Sequence, residues 1–258
     1  MLATLPRLKP IQLMTAGAEN AIPFVPSGVT LATARGAPSP AVAEWIMSVI
    51  LAQTRLLPRF LADQREDHWD FARSGALAGQ TALIVGYGSI GAMVEPLLAA
   101  FGVTVERIDR RPRDGVSGLD SLPAALARAG IVIILLPMTP DTRGMVDARF
   151  LSQMRDHALL VNAARGPIVD TAALLAELRS GRLRAALDVT DPEPLPAGHP
   201  LWSAPGLLLT PGSRIVTARP GEVVIHDHID GTVRSRKGPV TAHAERSGTG
   251  AARCDHGY

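Results

Sequence analysis

The sequence predicts an α/β protein built on a doubly wound, parallel, six-stranded sheet, and three observations carry this prediction. From Gly79 onward, six short apolar segments alternate with segments of helical pattern, which is the order typical of parallel strands joined by crossover helices. The third segment, IVIILL at 131–136, is apolar throughout, as expected of a strand buried on both faces. A glycine-rich turn, GYGSIG, follows the first segment directly and opens a helix. Six such strands fit the dinucleotide-binding (Rossmann) architecture, whose ligand lies beyond the carboxyl ends of the strands.

The predicted strands are short apolar runs bounded by turn residues or helical segments: TALIV (81–85), VTVERI (103–108), IVIILL (131–136), ALLVN (158–162), RAALDV (184–189) and LLL (207–209). Helices are predicted between them, at 89–101, 121–128, 148–154 and 171–180. Asp170 is the expected N-cap of the last helix, and Gly181 is expected to end it. One long helix precedes the sheet, with Ser39 as N-cap and Pro40 at its first position. Pro58 is expected to kink or end that helix.

Composition and charge exclude several classes of protein. The apolar share of 47% over 258 residues is enough for a packed core, and a net charge of +2 gives no reason to expect a nucleic-acid partner. The lone Cys254 excludes an internal disulfide and fits a reducing compartment. The start of the chain lacks the pattern of a secretory leader, and the apolar stretch 45–57 is short for a membrane span and contains Arg55. We therefore expect a cytoplasmic protein without a membrane partner.

The segment Gly86-Tyr87-Gly88-Ser89-Ile90-Gly91 has the spacing of a phosphate-binding loop. Gly86 permits a tight turn, Gly88 lets a pyrophosphate approach the backbone, and Gly91 lets the helix pack close to the strand. The first turn of the helix then offers free N–H groups and a partial positive charge. The alternative interpretation is a strand–helix turn whose glycines are incidental.

The end of the second predicted strand bears on the choice of cofactor. A carboxylate at Asp109 can accept hydrogen bonds from both hydroxyls of the adenosine ribose, which favours NAD. Arg110, Arg111 and Arg113 follow at once and could hold a 2′-phosphate, the feature of NADP sites; alternatively they form a solvated turn. The sequence predicts NAD and leaves NADP open.

Two further candidates follow the fourth and fifth strands. The rigid fork of Arg165 suits a substrate carboxylate, although a surface arginine is the alternative. Glu193 lies between Pro192 and Pro194, where a carboxylate could hold an imidazole as imidazolium, ready to give or take a proton. Hydride transfer to a carbonyl needs such a donor. A plain acidic turn is the other interpretation of this segment.

These residues resemble the D-isomer-specific 2-hydroxyacid dehydrogenase family, which includes phosphoglycerate dehydrogenases and glyoxylate/hydroxypyruvate reductases. The matching segments are GYGSIG, LPMTPDTRGMVD (136–147), LLVNAARGPIVDTAALLAELRSGRLRAALDVTDPEPL (159–195), HPLW (199–202) and LLLTP (207–211). The resemblance implies three regions. They are a partial substrate-domain segment with a long linking helix at 1–75, a dinucleotide-binding domain at 76–211 and a non-matching tail without ordered structure at 212–258.

The resemblance also implies a role for each site residue. Beyond the three glycines, the implied cofactor contacts are Ser89 and Ile90 at the pyrophosphate, Asp109 at the ribose, Leu136, Pro137 and Thr142 along the cofactor's path, Ala163, Ala164 and Arg165 beside the nicotinamide, and Asp188 on its carboxamide. The implied substrate contacts are Arg165, which also polarises the carbonyl, and the backbone around Ala16 and Gly17. Glu193 would pair with a catalytic histidine. Family members are commonly dimers through the region of the 39–57 helix, so a homodimer is expected.

Two departures from the family pattern bear on activity. Family members carry further residues before the LKPIQL position, so the substrate domain is expected to be incomplete. Their sixth strand runs into Thr-Pro-His, and that histidine is the acid/base, whereas this chain reads Thr210-Pro211-Gly212. No Leu, Met, Phe or Trp follows up to Tyr258. A frame shift, or a splice to unrelated sequence, is our hypothesis for this tail.

These residues leave three functions open. The first is an NAD(P)-dependent oxidoreductase that transfers hydride between nicotinamide and a small 2-hydroxy or 2-keto acid, impaired without the histidine. The second is a catalytically dead dinucleotide-binding remnant. The third is another nucleotide-binding enzyme with a GYG turn, such as one resembling S-adenosylhomocysteine hydrolase, against which NAARG and DPEPL argue. His226 and His228 are weak candidates to replace the missing histidine, and no metal site is expected because no second ligand cluster accompanies them.

Overall fold

The computed structural model describes residues 10–13, 21–26, 28–33, 39–212, 223–229 and 232–238. The chain divides into two compact units, one formed by Met1–Arg35 with Ala218–Tyr258 and the other by Gly36–Thr217. In chain order the elements are β1 (Pro10–Gln12), β2 (Thr30–Thr33), α1 (Ser39–Thr54), α2 (Leu57–Arg65), β3 (Thr81–Val85), α3 (Ser89–Ala100), β4 (Thr104–Ile108), α4 (Leu122–Arg128), β5 (Ile131–Ile134), α5 (Ala148–Gln153), β6 (Leu159–Asn162), α6 (Thr171–Arg179), β7 (Arg184–Leu187), β8 (Leu207–Leu209), β9 (Val223–Ile229) and β10 (Thr232–Gly238).

The larger unit is built on the predicted six-stranded sheet. Its strand order is β4-β3-β5-β6-β7-β8, and every neighbouring pair is parallel. The chain leaves β3 toward β4, crosses back to β5 on the other side of β3, and then continues outward to β8. The strand order therefore reverses beside β3, which is where parallel α/β sheets form a ligand crevice. The predicted α/β, doubly wound architecture is confirmed.

Strand β5 shows why the apolar runs are uninterrupted. Ile131 and Ile133 pack on the face covered by α1 and α3, while Val132 and Ile134 pack on the face covered by α4, α5 and α6. All four are buried. Because successive strand residues point to opposite faces, a strand covered by helices on both sides favours apolar side chains at successive positions.

The long first helix ends earlier than predicted. Helix α1 stops at Thr54, Leu56 takes a left-handed conformation with φ of 57°, and α2 begins at Leu57. Pro58 therefore lies in the first turn of a new helix, where its missing N–H costs no hydrogen bond. The break comes from the backbone turn at Leu56, and the proline starts the next helix.

The smaller unit contains a second sheet, with strand order β1-β2-β9-β10. Strands β1 and β2 are parallel, β9 is antiparallel to β2, and β9 and β10 form an antiparallel pair. The last two strands lie inside 212–258, so the expectation of a tail without ordered structure is wrong for Val223–Ile229 and Thr232–Gly238. The tail lacks Leu, Met, Phe and Trp, but it contains Val, Ile and Thr, which favour strands. No helix in the described parts of the chain has the length and apolarity needed to cross a membrane.

Candidate cofactor and active site

The phosphate loop joins β3 to α3, and its first two glycines have different surroundings. Gly86 has a φ of 94°, and a Cβ on it would lie 2.8 Å from the backbone of Leu135 and Leu136. Only glycine fits this close approach between the turn and the chain leaving β5. Gly88 is the N-cap of α3, and a Cβ there would meet nothing within 4 Å. The loop thus has open space beside the helix N-terminus, as a pyrophosphate requires.

The third glycine sets the distance between α3 and the sheet. A Cβ on Gly91 would approach the Tyr87 ring to 3.0 Å and the side chain of Ile84 to 3.3 Å. Gly91 is itself buried, and Val94 and Leu98 on the same helix are fully buried against the sheet. These three glycine environments together fit the dinucleotide that the sequence predicts.

A second helix also begins at the phosphate loop. The Ser39 hydroxyl at the start of α1 donates a hydrogen bond to Ser89 Oγ, 3.1 Å away, at the start of α3. Ser39 is almost fully buried. Both helices therefore direct their positive ends toward the predicted pyrophosphate position. From the sequence, Ser39 is predicted only as an N-cap, because a contact across fifty residues leaves no local signal.

The predicted ribose carboxylate, Asp109, follows β4 and is paired with an arginine. Arg113 Nη1 lies 3.3 Å from Asp109 Oδ2, and Arg113 Nη2 donates to the carbonyl oxygen of Tyr87 in the phosphate loop. Arg110 turns elsewhere and lies 3.8 Å from Asp141, with both side chains largely exposed. The arginines after β4 therefore differ in position, and Arg113 is placed between Asp109 and the phosphate loop.

Two guanidinium groups lie near the ring of Tyr87. Arg107 Cζ is 5.6 Å and Arg113 Cζ is 5.8 Å from the ring centroid, distances at which a cation is attracted to an aromatic face. Arg107 Nε donates to Glu95 Oε2 at 2.7 Å, and the Tyr87 hydroxyl donates to the same oxygen. Hydrogen bonds from Arg107 hold the pKa of Glu95 below its ordinary value, while the bond to Glu95 raises the pKa of Tyr87.

The loop after β5 runs beside the phosphate loop and closes on itself. Leu136 is buried in the core, whereas Pro137 is exposed. The Thr142 hydroxyl donates to the Pro137 carbonyl at 2.7 Å and accepts from the Thr139 N–H at 2.8 Å. The predicted positions 136, 137 and 142 therefore belong to one short loop, which Gly86 approaches closely.

The turn after β6 is shaped by Asn162, which is fully buried. Its side chain accepts from the Ala164 N–H and donates to the Arg165 carbonyl, both at 3.0 Å. Arg165 Nη1 donates to the Ala164 carbonyl at 2.8 Å. A Cβ on Gly166 would lie 1.8 Å from the Thr190 carbonyl oxygen, so this turn packs directly against the loop after β7. The two loops that carry Arg165 and Glu193 are therefore neighbours.

A hydrogen-bonded chain joins the ends of β7 and β8 to α1. Thr210 Oγ1 donates to Asp188 Oδ1 at 2.7 Å and accepts from Trp45 Nε1 at 3.0 Å. Asp188 is 1% exposed, so its carboxylate lies inside the protein at the carboxyl end of β7. Asp188 is a site residue implied by the sequence, whereas its hydrogen bond to Thr210, and through it the link to Trp45, is not predicted.

Position 212 lies beside Glu193. Gly212 has a φ of 67°, and its N–H donates to the carbonyl oxygens of Asp188 and Thr210, both at 3.0 Å. A Cβ built on Gly212 would lie 3.9 Å from Glu193 Oε1. A side chain at this position would therefore begin next to the Glu193 carboxylate, which is exposed.

Several predicted positions lie outside what the structure describes. Ala16 and Gly17 fall in the segment 14–20, which is outside the described residues. The backbone of His226 and His228 belongs to β9 in the smaller unit, but their side chains are outside the description. Over the described parts of the chain, no group of three or more His, Cys, Asp or Glu residues is arranged to hold a metal ion.

Known proteins share both the sequence and the fold of this region. Residues 47–212 match the profile described as D-isomer specific 2-hydroxyacid dehydrogenase, NAD binding domain. Glyoxylate/hydroxypyruvate reductase A of Yersinia enterocolitica is 35% identical over 180 residues, which is 67% of this chain and 58% of that protein. D-3-phosphoglycerate dehydrogenase of Mycobacterium bovis is 36% identical over 228 residues, which is 82% of this chain and 42% of that protein. The chain thus spans about half the length of these curated relatives.

A solved structure extends this likeness to three dimensions. The crystal structure of a D-isomer specific 2-hydroxyacid dehydrogenase from Xanthobacter autotrophicus Py2, in complex with NADPH and MES, has a TM-score of 0.74 at 35% identity. The match covers 83% of this chain and 70% of that one. The arrangement of phosphate loop, sheet and strand-end loops is therefore one that occurs in solved structures.

Proposed function

The chain belongs to the D-isomer-specific 2-hydroxyacid dehydrogenase family and contains its NAD-binding domain, and on this premise we propose that it is an NAD(P)-dependent oxidoreductase impaired in proton transfer. Its reaction would move a hydride between the nicotinamide and a small 2-hydroxy or 2-keto acid. One observation carries the proposal: position 212 lies beside Glu193, where the family pattern has the proton-transferring histidine, and it holds a glycine. A proton-donating side chain would stand at position 212, and glycine provides none.

The glycines of the phosphate loop, the helix start at Ser89 and Ile90, and Asp109 would hold the adenosine and pyrophosphate half of the cofactor. Asp188, with Ala163 and Ala164 nearby in the turn after β6, would orient the nicotinamide. When bound, the cofactor supplies or accepts the hydride. The chain's own contribution is to fix the orientation of the nicotinamide at the carboxyl ends of the strands, where the loops meet.

Arg165 would bind the substrate carboxylate and polarise its carbonyl. Its backbone is fixed by the buried Asn162 and by the packing of Gly166 on Thr190, so its guanidinium is presented from a rigid turn. A pre-positioned guanidinium suits a planar carboxylate, because two parallel hydrogen bonds can form. The backbone around Ala16 and Gly17 would supply further contacts to the substrate in this proposal.

Proton transfer is the step that this chain lacks. In the family pattern a histidine follows Thr-Pro, and Glu193 would hold it as imidazolium. Gly212 offers no titratable group, and loss of general acid–base catalysis costs about 10²-fold to about 10⁴-fold in rate. We therefore expect dinucleotide binding with little turnover. The absence of a side chain at Gly212 is also what favours the second candidate, a dinucleotide-binding remnant without catalysis.

Titration with NADH and NADPH, followed by fluorescence, tests binding separately from chemistry. The same preparations are then assayed with glyoxylate and hydroxypyruvate, beside a Gly212→His variant. We expect binding in both proteins and a gain of turnover in the variant. The positive φ at Gly212 will cost the variant about 1 to about 2 kcal/mol of stability, so its thermal unfolding is measured alongside. Ordinary enzymatic rates in the unaltered chain would contradict the proposed impairment.

The proposal includes a homodimer, supported by apolar side chains outside the core. Trp69 is 99% exposed and Phe71 is 83% exposed, and both lie in the segment after α2. Leu57 and Leu61 on α2 are also exposed. A second copy of the chain packed on this region would cover them, since aromatic side chains are enriched at protein–protein interfaces. We also propose a cytoplasmic location, in keeping with the lone Cys254.

The domain boundaries are likewise proposed. Residues 1–75 would contribute part of a substrate domain and the linking helix, 76–211 the dinucleotide-binding domain, and 212–258 a segment that does not match the family. Helices α1 and α2 fall within the unit Gly36–Thr217, so the linking helix packs with the dinucleotide-binding part. This placement supports α1 as a structural element of the cofactor site.

A further inference from the structure

The larger sheet ends at β4, and most of the outer edge of this strand has no partner. On its inner side β4 pairs with β3. On its outer side the Ser117 N–H donates to the Arg107 carbonyl, and the Ser117 carbonyl accepts from the Asp109 N–H, both at 3.0 Å. Because the backbone groups of a strand alternate between its two edges, Val105 points to the same outer side as Arg107. In the described parts of the chain, no hydrogen bond is made by the Val105 N–H and C=O or by the Arg107 N–H.

A cavity of about 380 Å³ lies along this open edge, between β4 and α4. Val105 and Ile108 line it on the strand, Ala124 and Ala125 line it on the helix, and Gly115 lies at its border. The small alanine side chains leave room beside the strand. An open strand edge next to a groove for side chains is the arrangement that binds extended peptides by strand addition. The dinucleotide, in contrast, would lie beyond the carboxyl ends of the strands.

The side chains that line this edge groove supply hydrogen-bond donors without partners. Ser117 and Ser121 both line it, and neither hydroxyl makes a hydrogen bond to any described residue. Arg128 Nε and Nη2 donate to the two oxygens of Glu106 at 2.9 and 2.7 Å. Within the same described residues Arg128 Nη1 has no acceptor. The groove therefore suits a chain that brings acceptors, and a carboxylate would meet the remaining donor of the guanidinium.

We propose that the edge groove binds an extended, acidic segment of a partner protein, which adds to the sheet as a further strand beside β4. Backbone groups of the segment pair with Val105 and Arg107, and its acidic side chain faces Arg128. Ser117 already makes the same kind of pairing one step farther along β4. This binding is separate from the proposed oxidoreductase function, because it uses the side of the sheet and not the crevice at the strand ends.

The probe is a fluorescein-labelled peptide, Thr-Val-Asp-Val-Thr with an amidated end, titrated with the full chain and followed by fluorescence anisotropy. Its β-branched residues favour an extended backbone. Only alternate N–H groups of an added strand face the sheet. N-methylation of one alternate set should therefore weaken binding by about tenfold or more, because several hydrogen bonds are lost, whereas N-methylation of the other set should be tolerated. Equal effects of the two sets would overturn strand addition.

Arg128→Gln tests the acidic contact. We expect this variant to bind the peptide about fivefold to about tenfold more weakly. Replacing the aspartate of the peptide by asparagine should weaken binding to the unaltered chain by a similar factor and cause no further loss in Arg128→Gln, because both changes remove one interaction. Arg59→Gln is the matched control, since Arg59 is a similarly exposed, paired arginine on α2, and it should leave peptide binding nearly unchanged. Additive losses from Arg128→Gln and asparagine would contradict the contact.

Hydrogen exchange locates the bound peptide. The amides of Val105 and Arg107 should exchange about tenfold or more slowly at saturating peptide, because they become hydrogen-bonded. Unchanged exchange at both amides, or no binding of the peptide at millimolar concentration, would overturn the proposal. Titration of the same preparations with NADPH is read separately, so a chain that binds NADPH but not the peptide refutes the edge groove and leaves the proposed function standing. Thermal unfolding shows that each variant is folded.

Discussion

At the scale of single residues, the site is organised by side chains that fix neighbouring loops. Asn162 shapes the turn that presents Arg165, and Glu95 holds both Arg107 and Tyr87 under the phosphate loop. Neither residue was identified from the sequence as part of the site. An asparagine at the end of an apolar strand indicates a loop-shaping residue. The role of Glu95 has no local sequence signal, because its partners Tyr87 and Arg107 lie on other elements.

The hydrogen-bonded pair of Glu95 and Arg107 predicts that the stability of the fold depends on pH. Hydrogen bonds from Arg107 lower the pKa of Glu95 from its ordinary value of 4.5. A carboxylate with a depressed folded-state pKa contributes stability that is present above its unfolded pKa and is lost as the pH falls through the folded value. Glu95→Gln should therefore lower the free energy of unfolding at neutral pH by about 1 to about 2 kcal/mol, and this difference should shrink in acid.

Urea unfolding at a series of pH values between neutral and acidic measures this difference directly. Glu106→Gln is the matched control, because Glu106 pairs with Arg128 in a more exposed setting. The control is expected to change stability less at neutral pH. If Glu95→Gln lowers the free energy of unfolding by the same amount at neutral and at strongly acidic pH, the lowered pKa of Glu95 is contradicted.

At the scale of elements, the sequence predicted the sheet closely and the contacts between elements poorly. All six strands of the larger sheet were identified, but Leu135, Leu136, Asp188 and Val189 lie beyond the strand ends. An apolar run shows which residues are buried, yet it does not show where ladder hydrogen bonding stops. Strands β9 and β10 were not predicted because the tail lacks Leu, Met, Phe and Trp, although its valine and isoleucine are sufficient to favour strands.

The link between α1 and the end of β8 gives a prediction at this scale. Thr210→Val removes the hydroxyl that donates to the buried Asp188 and accepts from Trp45. Leaving a buried donor or acceptor without its partner costs about 1 to about 3 kcal/mol, and dinucleotide affinity should fall as well, because Asp188 loses an orienting partner.

Thr210→Ser keeps the hydroxyl and serves as the control for this prediction. Chemical unfolding gives the stability of each variant, and titration with NADPH gives the affinity. If valine and serine at position 210 have the same effect on both quantities, the hydroxyl does not hold Asp188.

At the scale of the whole molecule, the proposed dimer accounts for the most exposed apolar side chains. Trp69→Ser combined with Phe71→Ser should shift the chain from dimer toward monomer, because interface aromatic residues contribute most of the binding free energy. Sedimentation equilibrium over a range of concentrations measures the shift. Leu119→Ser, at an exposed apolar residue in the 3-10 turn before α4, should leave the assembly unchanged. A monomer at all concentrations before any substitution would contradict the dimer.

The contacts of α1 also determine when the larger unit can finish folding. Trp45 meets Thr210 across 165 residues, and Gln53 donates to the Gly206 carbonyl across 153. Contacts this distant in sequence require closure of a long chain loop, which slows folding. During synthesis α1 leaves the ribosome early, and these partners become available only after β8 has been made. The packing of α1 on α3 uses partners made earlier, whereas these two hydrogen bonds are secured late, and a nascent chain stopped before residue 206 would lack both of them.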